Sequence, residues 1–301
     1  TSDLDLNSLT VELGAYLNMD GYKLTVAGNV INDGDIPNAS SITIGGDLTN
    51  SGSVFSHAGN IEVTGTTTSS GSIFTDNGGA VVLANTDNSG DIFTTNGGGV
   101  TINGTLTNTG DIFPSSNQNI VVTGAVTNTG GDIRTSGTGT ISLQSTLVNS
   151  GIAYVYTASG ALNITGAVTN DSGSYVYTTS GGAIHFLNNV TNQNGSYINS
   201  AGNITLDGTL LNQNGAQIYT NANSSTLTIT GTTTNTGGAI ISNGYTSSIV
   251  FGGNVTNSNG AQLIRGSTGT ISVAGDFTNT TGSSLIGSSG NWDFNGSFSN
   301  D

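Results

Sequence analysis

The sequence predicts an all-β chain, coiled as a single right-handed parallel β-helix of about 13 rungs with 18–23 residues per rung. Three observations predict it. One Asn recurs at nearly constant spacing. Apolar residues alternate with polar ones around it, with period two. Gly or Asn stands between the alternating pieces, and no helical periodicity intervenes.

The recurring landmark is an apolar residue, usually Thr, then Asn, as in Leu106-Thr107-Asn108-Thr109-Gly110 and Val126-Thr127-Asn128-Thr129-Gly130. It places Asn50, Asn88, Asn108, Asn128, Asn149, Asn170, Asn192, Asn212, Asn235, Asn257 and Asn279 in one column, with Asn32 before and Asn300 after it. Ser69 takes the slot between Asn50 and Asn88, and the spacing drifts longer toward the C-terminus. Stacked rungs would bring these amides together. An Asn carries both a donor and an acceptor, so it can pass hydrogen bonds up a stack, and it tolerates left-handed backbone. The column is therefore expected to be a structural ladder.

Each rung divides into three strand-like pieces. The first carries an apolar pair, such as Val100/Ile102, Ile120/Val122 or Leu162/Ile164. The second carries one apolar residue before Thr-Asn, such as Leu106 or Val168. The third follows the Gly and carries Val54, Ile73, Ile92, Ile112, Ile133, Val155, Val176, Ile198, Ile218, Ile240, Leu263 or Leu285. Alternation turns these residues to one face of each strand. Parallel crossovers make a right-handed coil the default. No rung can bury its apolar face alone, so residues 1–301 are expected to form one continuous solenoid domain, with 1–30 as the N-terminal rung and 290–301 as the C-terminal one.

Composition narrows the function. Three Lys and Arg stand against 18 Asp and Glu, giving a net charge of −15. Nucleic-acid binding needs many cationic contacts to phosphate and is excluded as a class. The longest apolar runs, such as Ala80–Ala84, are too short for membrane insertion. Disordered chains are rich in charge and poor in β-branched residues, whereas only 7% of this chain is charged and Val, Ile and Thr recur regularly. With no Cys there is no disulfide framework or thiolate metal site. The sequence reads as a mature bacterial or archaeal chain, extracellular or at the cell surface after signal-peptide removal, with no required cofactor.

The stretch from Asn108 to Gly151, "NTGDIFPSSNQNIVVTGAVTNTGGDIRTSGTGTISLQSTLVNSG", resembles the repeats of filamentous haemagglutinin-like, adhesin-type β-helix proteins. The resemblance extends over almost the whole chain. It implies an extended, non-enzymatic surface protein.

Stacking converts sequence columns into surface ladders. The residue before the third-strand apolar position is Asp91, Asp111 and Asp132 in successive rungs. These carboxylates, with Asp87 nearby, are candidate Ca²⁺ ligands, because hard cations take Asp oxygens. The alternative is a solvated acidic strip. The residue after the same position is Phe55, Phe74, Phe93, Phe113, Arg134, Tyr156, Tyr177, Asn199, Tyr219, Ile241, Ile264 and Ile286. Its aromatic members, Phe55, Phe74, Phe93, Phe113, Tyr156 and Tyr177, are either an interaction stripe for a second copy or glycan, or residues partly buried at a corner. Thr49, Thr107, Thr127 and their equivalents form a Thr ladder without the companion column that a flat ice-binding array needs. His57 and His185 stand alone in the sequence, and no nucleophile motif is present.

The expected function is a non-enzymatic fibre subunit that assembles head to tail with itself and has an adhesive or biofilm role. A glycan- or host-binding adhesin segment is the alternative. A polysaccharide-active enzyme and an ice-binding protein rank below both.

Overall fold

The computed structural model describes residues 2–244, 246–287 and 289–301. It is all-β, with no helix among the described residues. Parallel strands stack into a β-solenoid of about 14 turns, with about 21 residues per turn. The chain divides into two compact units, Thr1–Ser145 and Thr146–Asp301.

In the first unit a representative rung runs Val100–Ile102, Leu106–Asn108 and Asp111–Phe113. Val100, Ile102, Leu106 and Ile112 are all buried, as the alternation predicts. Rungs pair in register, Val100 with Ile120, Leu106 with Val126 and Ile92 with Ile112, so each column is continuous in space. The first rung escapes a count of Asn residues. Leu4–Leu6 pairs with Lys23–Val26, Leu9–Val11 pairs with Val30–Asn32, and Val11 stands where later rungs carry Asn. A bridge from Tyr16 to Asp35 supplies its third side.

The second unit repeats the plan, with Leu162–Ile164, Val168–Asn170 and Tyr175–Thr178 as one rung. Its rungs are longer for a definite reason. In the first unit the second strand passes to the third through a single tight step, Asn108-Thr109-Gly110-Asp111. Gly110 is required there, because an added Cβ would stand 2.0 Å from the Gly90 carbonyl oxygen. In the second unit the same corner is a left-handed turn, with Asn194 at φ 54° and Gly195 at φ 74°. Small buried residues, Ser196 or Ala216, then line its inner side. The change of turn adds the extra residues and explains the drift in spacing.

That turn also corrects one assignment. Ile240 was expected in the core and Ile241 outside. Instead Gln217 pairs with Ile240 and Ile218 with Ile241, and Ile241 is buried. This rung keeps the long turn through Gly237 and Gly238, so the sixth residue after Asn235 faces inward. Two adjacent isoleucines hide the shift from pattern reading.

The Asn column is a ladder inside each unit. In the first, Asn32 Nδ2 donates to Asn50 Oδ1 at 2.8 Å, Asn88 to Asn108 at 2.8 Å and Asn108 to Asn128 at 2.8 Å. Asn50 donates to the Ser69 hydroxyl, which turns its own proton to the Gly71 carbonyl, so Asn88 Oδ1 has no donor. In the second unit the chain of amides runs through Asn149, Asn170, Asn192, Asn212, Asn235, Asn257, Asn279 and Asn300, with contacts of 2.7–2.9 Å. Apart from the exposed Asn300, these residues are buried, at or next to the ends of strands. Left-handed backbone belongs to other asparagines, such as Asn77, Asn194 and Asn214, which corrects the expectation that the ladder residues would supply it.

Asn192 Nδ2 donates at once to Asn212 Oδ1, to the Ser196 carbonyl and to the Gln217 carbonyl. Each such bond is worth about 1 kcal/mol net, and a buried partner left unmatched costs about 1–3 kcal/mol. Asn192→Leu should therefore destabilise by about 3 kcal/mol in urea unfolding. The reverse holds for Thr233, which fills an apolar slot between Leu210 and Val255, with its buried hydroxyl unpartnered among the described residues. Thr233→Val should stabilise by about 1 kcal/mol on the same measurement.

Candidate interaction face and terminal rungs

The outer face of the third strands carries the residues singled out in the sequence. In the first unit Phe55, Phe74, Phe93 and Phe113 stack ring on ring, with centroids 4.5, 4.6 and 5.0 Å apart. They sit within strands such as Ser72–Thr75 and Asp91–Thr94, and not at a corner. Each ring is half-buried because its neighbours cover its faces. In-register parallel pairing repeats at about 4.8 Å, close to the spacing at which aromatic rings attract. Arg134 lies 4.9 Å from the Phe113 ring centre and continues this column.

Beside this stack Asp91 pairs with Asp111, and Asp111 with Asp132. Like charges stacked in this way repel. The Arg134 guanidinium answers them, with Nη2 at 3.7 Å from Asp111 Oδ2. Burial raises the Asp132 carboxyl above its ordinary value and Asp111 raises it further, while Arg134 opposes both. Asp87 does not join them. It faces outward from a second strand, between Thr68 and Thr107. Among the described residues no group of three or more His, Cys, Asp and Glu is arranged to hold a metal ion. The histidines are not solitary: His57 Nδ1 lies 3.1 Å from Asp76, and His185 Nε2 lies 2.8 Å from Asp207.

In the second unit two tyrosine columns run side by side. Tyr154, Tyr175 and Tyr197 stack at 5.0 and 4.8 Å, and Tyr156 stacks on Tyr177 at 4.7 Å. The columns meet edge to face, as between Tyr175 and Tyr177. Burial and the neighbouring tyrosines Tyr197, Tyr154 and Tyr219 raise the Tyr175 hydroxyl pKa. Sequence reading placed Tyr156 and Tyr177 in the stripe and left the longer column out of it. Ring faces in both units are turned to one another and the rims face outward. A sugar that stacks on an aromatic platform needs a free face, which these columns do not offer along their length.

The last rungs bring together aromatic residues that continue the core columns and Arg265, to which the sequence reading gave no place. Phe277 is buried, but Phe298 above it is 49% exposed, and Trp292 and Phe294 are half-buried. Arg265 follows Gln262–Ile264 in the inward position that Thr157 and Thr178 hold in earlier rungs. Those hydroxyls bond to the carbonyls of Gly160 and Gly182. Arg265 is 5% exposed, lies 5.2 Å from the Trp292 ring centre, and has Nε and Nη1 without hydrogen-bond partners among the described residues. Its only sequence signal was an Arg in a column of small hydroxyls. In the first unit a hollow of about 500 Å³ opens between Leu4, Leu17, Met19, Asp20 and Tyr22.

No protein-family model, curated protein or solved structure matches the chain. No helix among the described residues is long and apolar enough to cross a membrane.

The acidic column yields a pH test. Because the Asp132 carboxyl is raised in the fold, its charged form opposes folding above its folded pKa. The penalty fades as pH falls toward the ordinary value of 3.8, where both states bind the proton. Asp132→Asn should raise the melting temperature at pH 7, and the gain should vanish below that value. Thermal unfolding across the pH range checks it.

Proposed function

We propose that this chain is a non-catalytic structural protein of the cell exterior, a subunit that stacks head to tail into a β-helical filament with an adhesive or biofilm role. The observation that carries this reading is the matched pair of open sheet edges. At one end Leu4–Leu6 and Leu9–Val11 are paired on one side only, and at the other Asn291–Phe294 and Phe298–Asn300 are likewise. Exposed strand edges with apolar residues are templates for further pairing. The two edges have the same design. Leu4 and Leu6 continue the inward pair Leu24/Val26, while Trp292 and Phe294 continue Ile271/Val273. A second copy can thus extend the first-strand and second-strand ladders in register, as an open heterologous contact requires.

Electrostatics sets the conditions. Each chain carries −15, and in-register stacking would set the outward Asp293 opposite Asp5 of the next copy. Salt screens such exposed repulsion, so assembly should strengthen as ionic strength rises. Sedimentation velocity and electron microscopy over a concentration series should show end-to-end oligomers growing into filaments of constant width. Phe298→Glu should suppress growth without lowering the melting temperature. A wild-type chain that stays monomeric at every concentration and salt level overturns the proposal.

A further inference from the structure

We infer that the Arg265 guanidinium is the cationic centre of an internal anion site, whose ligand is a small monovalent inorganic anion of the size of chloride. The site is independent of filament assembly. Arg265 is 5% exposed and makes no ion pair among the described residues, and its Nε and Nη1 have no hydrogen-bond partner there. A guanidinium stays charged throughout the pH range of folded proteins, so it cannot relieve burial by losing a proton as a Lys can. A buried charge without a counter-charge is strongly unfavourable. The Trp292 ring, with its centre 5.2 Å from Cζ, offsets part of that penalty but offers only a ring face to the N–H donors.

The surroundings of Arg265 leave its donors over. The strand it follows, Gln262–Ile264, is paired on both sides, with Ile240–Asn243 and with Ser284–Ile286. In earlier rungs the side chain in this column bonds to the corner of its own rung: Thr178 Oγ1 donates to the Gly182 carbonyl, and Asn243 Nδ2 to the Ser247 carbonyl. Nε and Nη1 of Arg265 make no such bond. The nearby acceptors are already engaged. Asn243 Oδ1 takes the Gly266 N–H at 2.7 Å, and the Ile286 carbonyl takes the Arg265 backbone N–H at 2.8 Å. Gly287 is a second, independent sign of a ligand. A Cβ there would stand 2.9 Å from both Nε and Nη2, the edge on which a guanidinium offers two parallel donors. Gly287 is not in a left-handed conformation, so turn geometry does not require the missing side chain. Its absence keeps the donor edge clear. Charge and burial set the ligand. One guanidinium balances one negative charge, and so closed a site suits an anion that sheds water easily, which favours chloride over strongly hydrated phosphate or sulfate. The rest of a chain with net charge −15 repels anions, so binding hangs on this one local cation.

The test is urea unfolding of the full chain as sodium chloride replaces sodium gluconate at constant ionic strength, for wild type, Arg265→Met and Gly287→Ala. Above the dissociation constant, the wild-type folding equilibrium constant should rise about tenfold for each tenfold rise in chloride. Arg265→Met should lose that dependence. Without chloride it should be at least as stable as wild type, because it removes an unpaired buried charge. Gly287→Ala keeps the charge but fills the space beside the donor edge, and should weaken apparent chloride affinity about tenfold or more. Bromide should replace chloride in wild type and give an anomalous scattering peak beside Arg265 in crystals. Wild-type stability that ignores chloride overturns the site. So does a chloride dependence that persists in full in Arg265→Met, which would mark a general salt effect. Neither result bears on the filament reading, which sedimentation decides separately.

Discussion

Every feature of this molecule follows from in-register parallel stacking. Val100 lies on Ile120, Asn108 on Asn128 and Phe74 on Phe93, so each side chain has its own column as its axial neighbour. A residue type persists in a column only if it can satisfy copies of itself at about 4.8 Å. Asn does so because its amide gives one hydrogen bond and takes another. β-branched residues do so by packing, and aromatic rings by stacking. Asp cannot. Its run is short, three residues in successive rungs, and Arg134 stands in the next column to meet it.

The same rule explains what the sequence made legible. A column that repeats in kind is a periodic signal, so the Asn ladder, the inward apolar pairs and the Phe stack could be placed from spacing alone. The rule also explains what stayed hidden. Register depends on the corners, and the corner after the ladder Asn changes from a tight Gly step to a left-handed Asn-Gly turn between the two units. Where an apolar residue occupies both candidate positions, as at Ile240 and Ile241, alternation gives no preference and the turn length decides.

The aromatic columns show why exposure is not a property of single positions. Phe55, Phe74, Phe93 and Phe113 point outward from a strand, yet none is fully exposed, because each ring shields the next. The outcome is a surface whose rims face outward and whose faces are spent on cohesion along the stack. A ring at the end of such a stack, which loses one neighbour, is the chemically distinct place.

At the ends the like-on-like rule fails. Val11 stands in the Asn column in the first rung, and Trp292 and Phe294 stand on the smaller Ile271 and Val273 in the last. Among the described residues Arg265 is the one that places a buried charge in its column of small polar side chains, and its Nε and Nη1 have no hydrogen-bond partner there. A solenoid built wholly of self-complementary columns would have no preferred place to stop or to join.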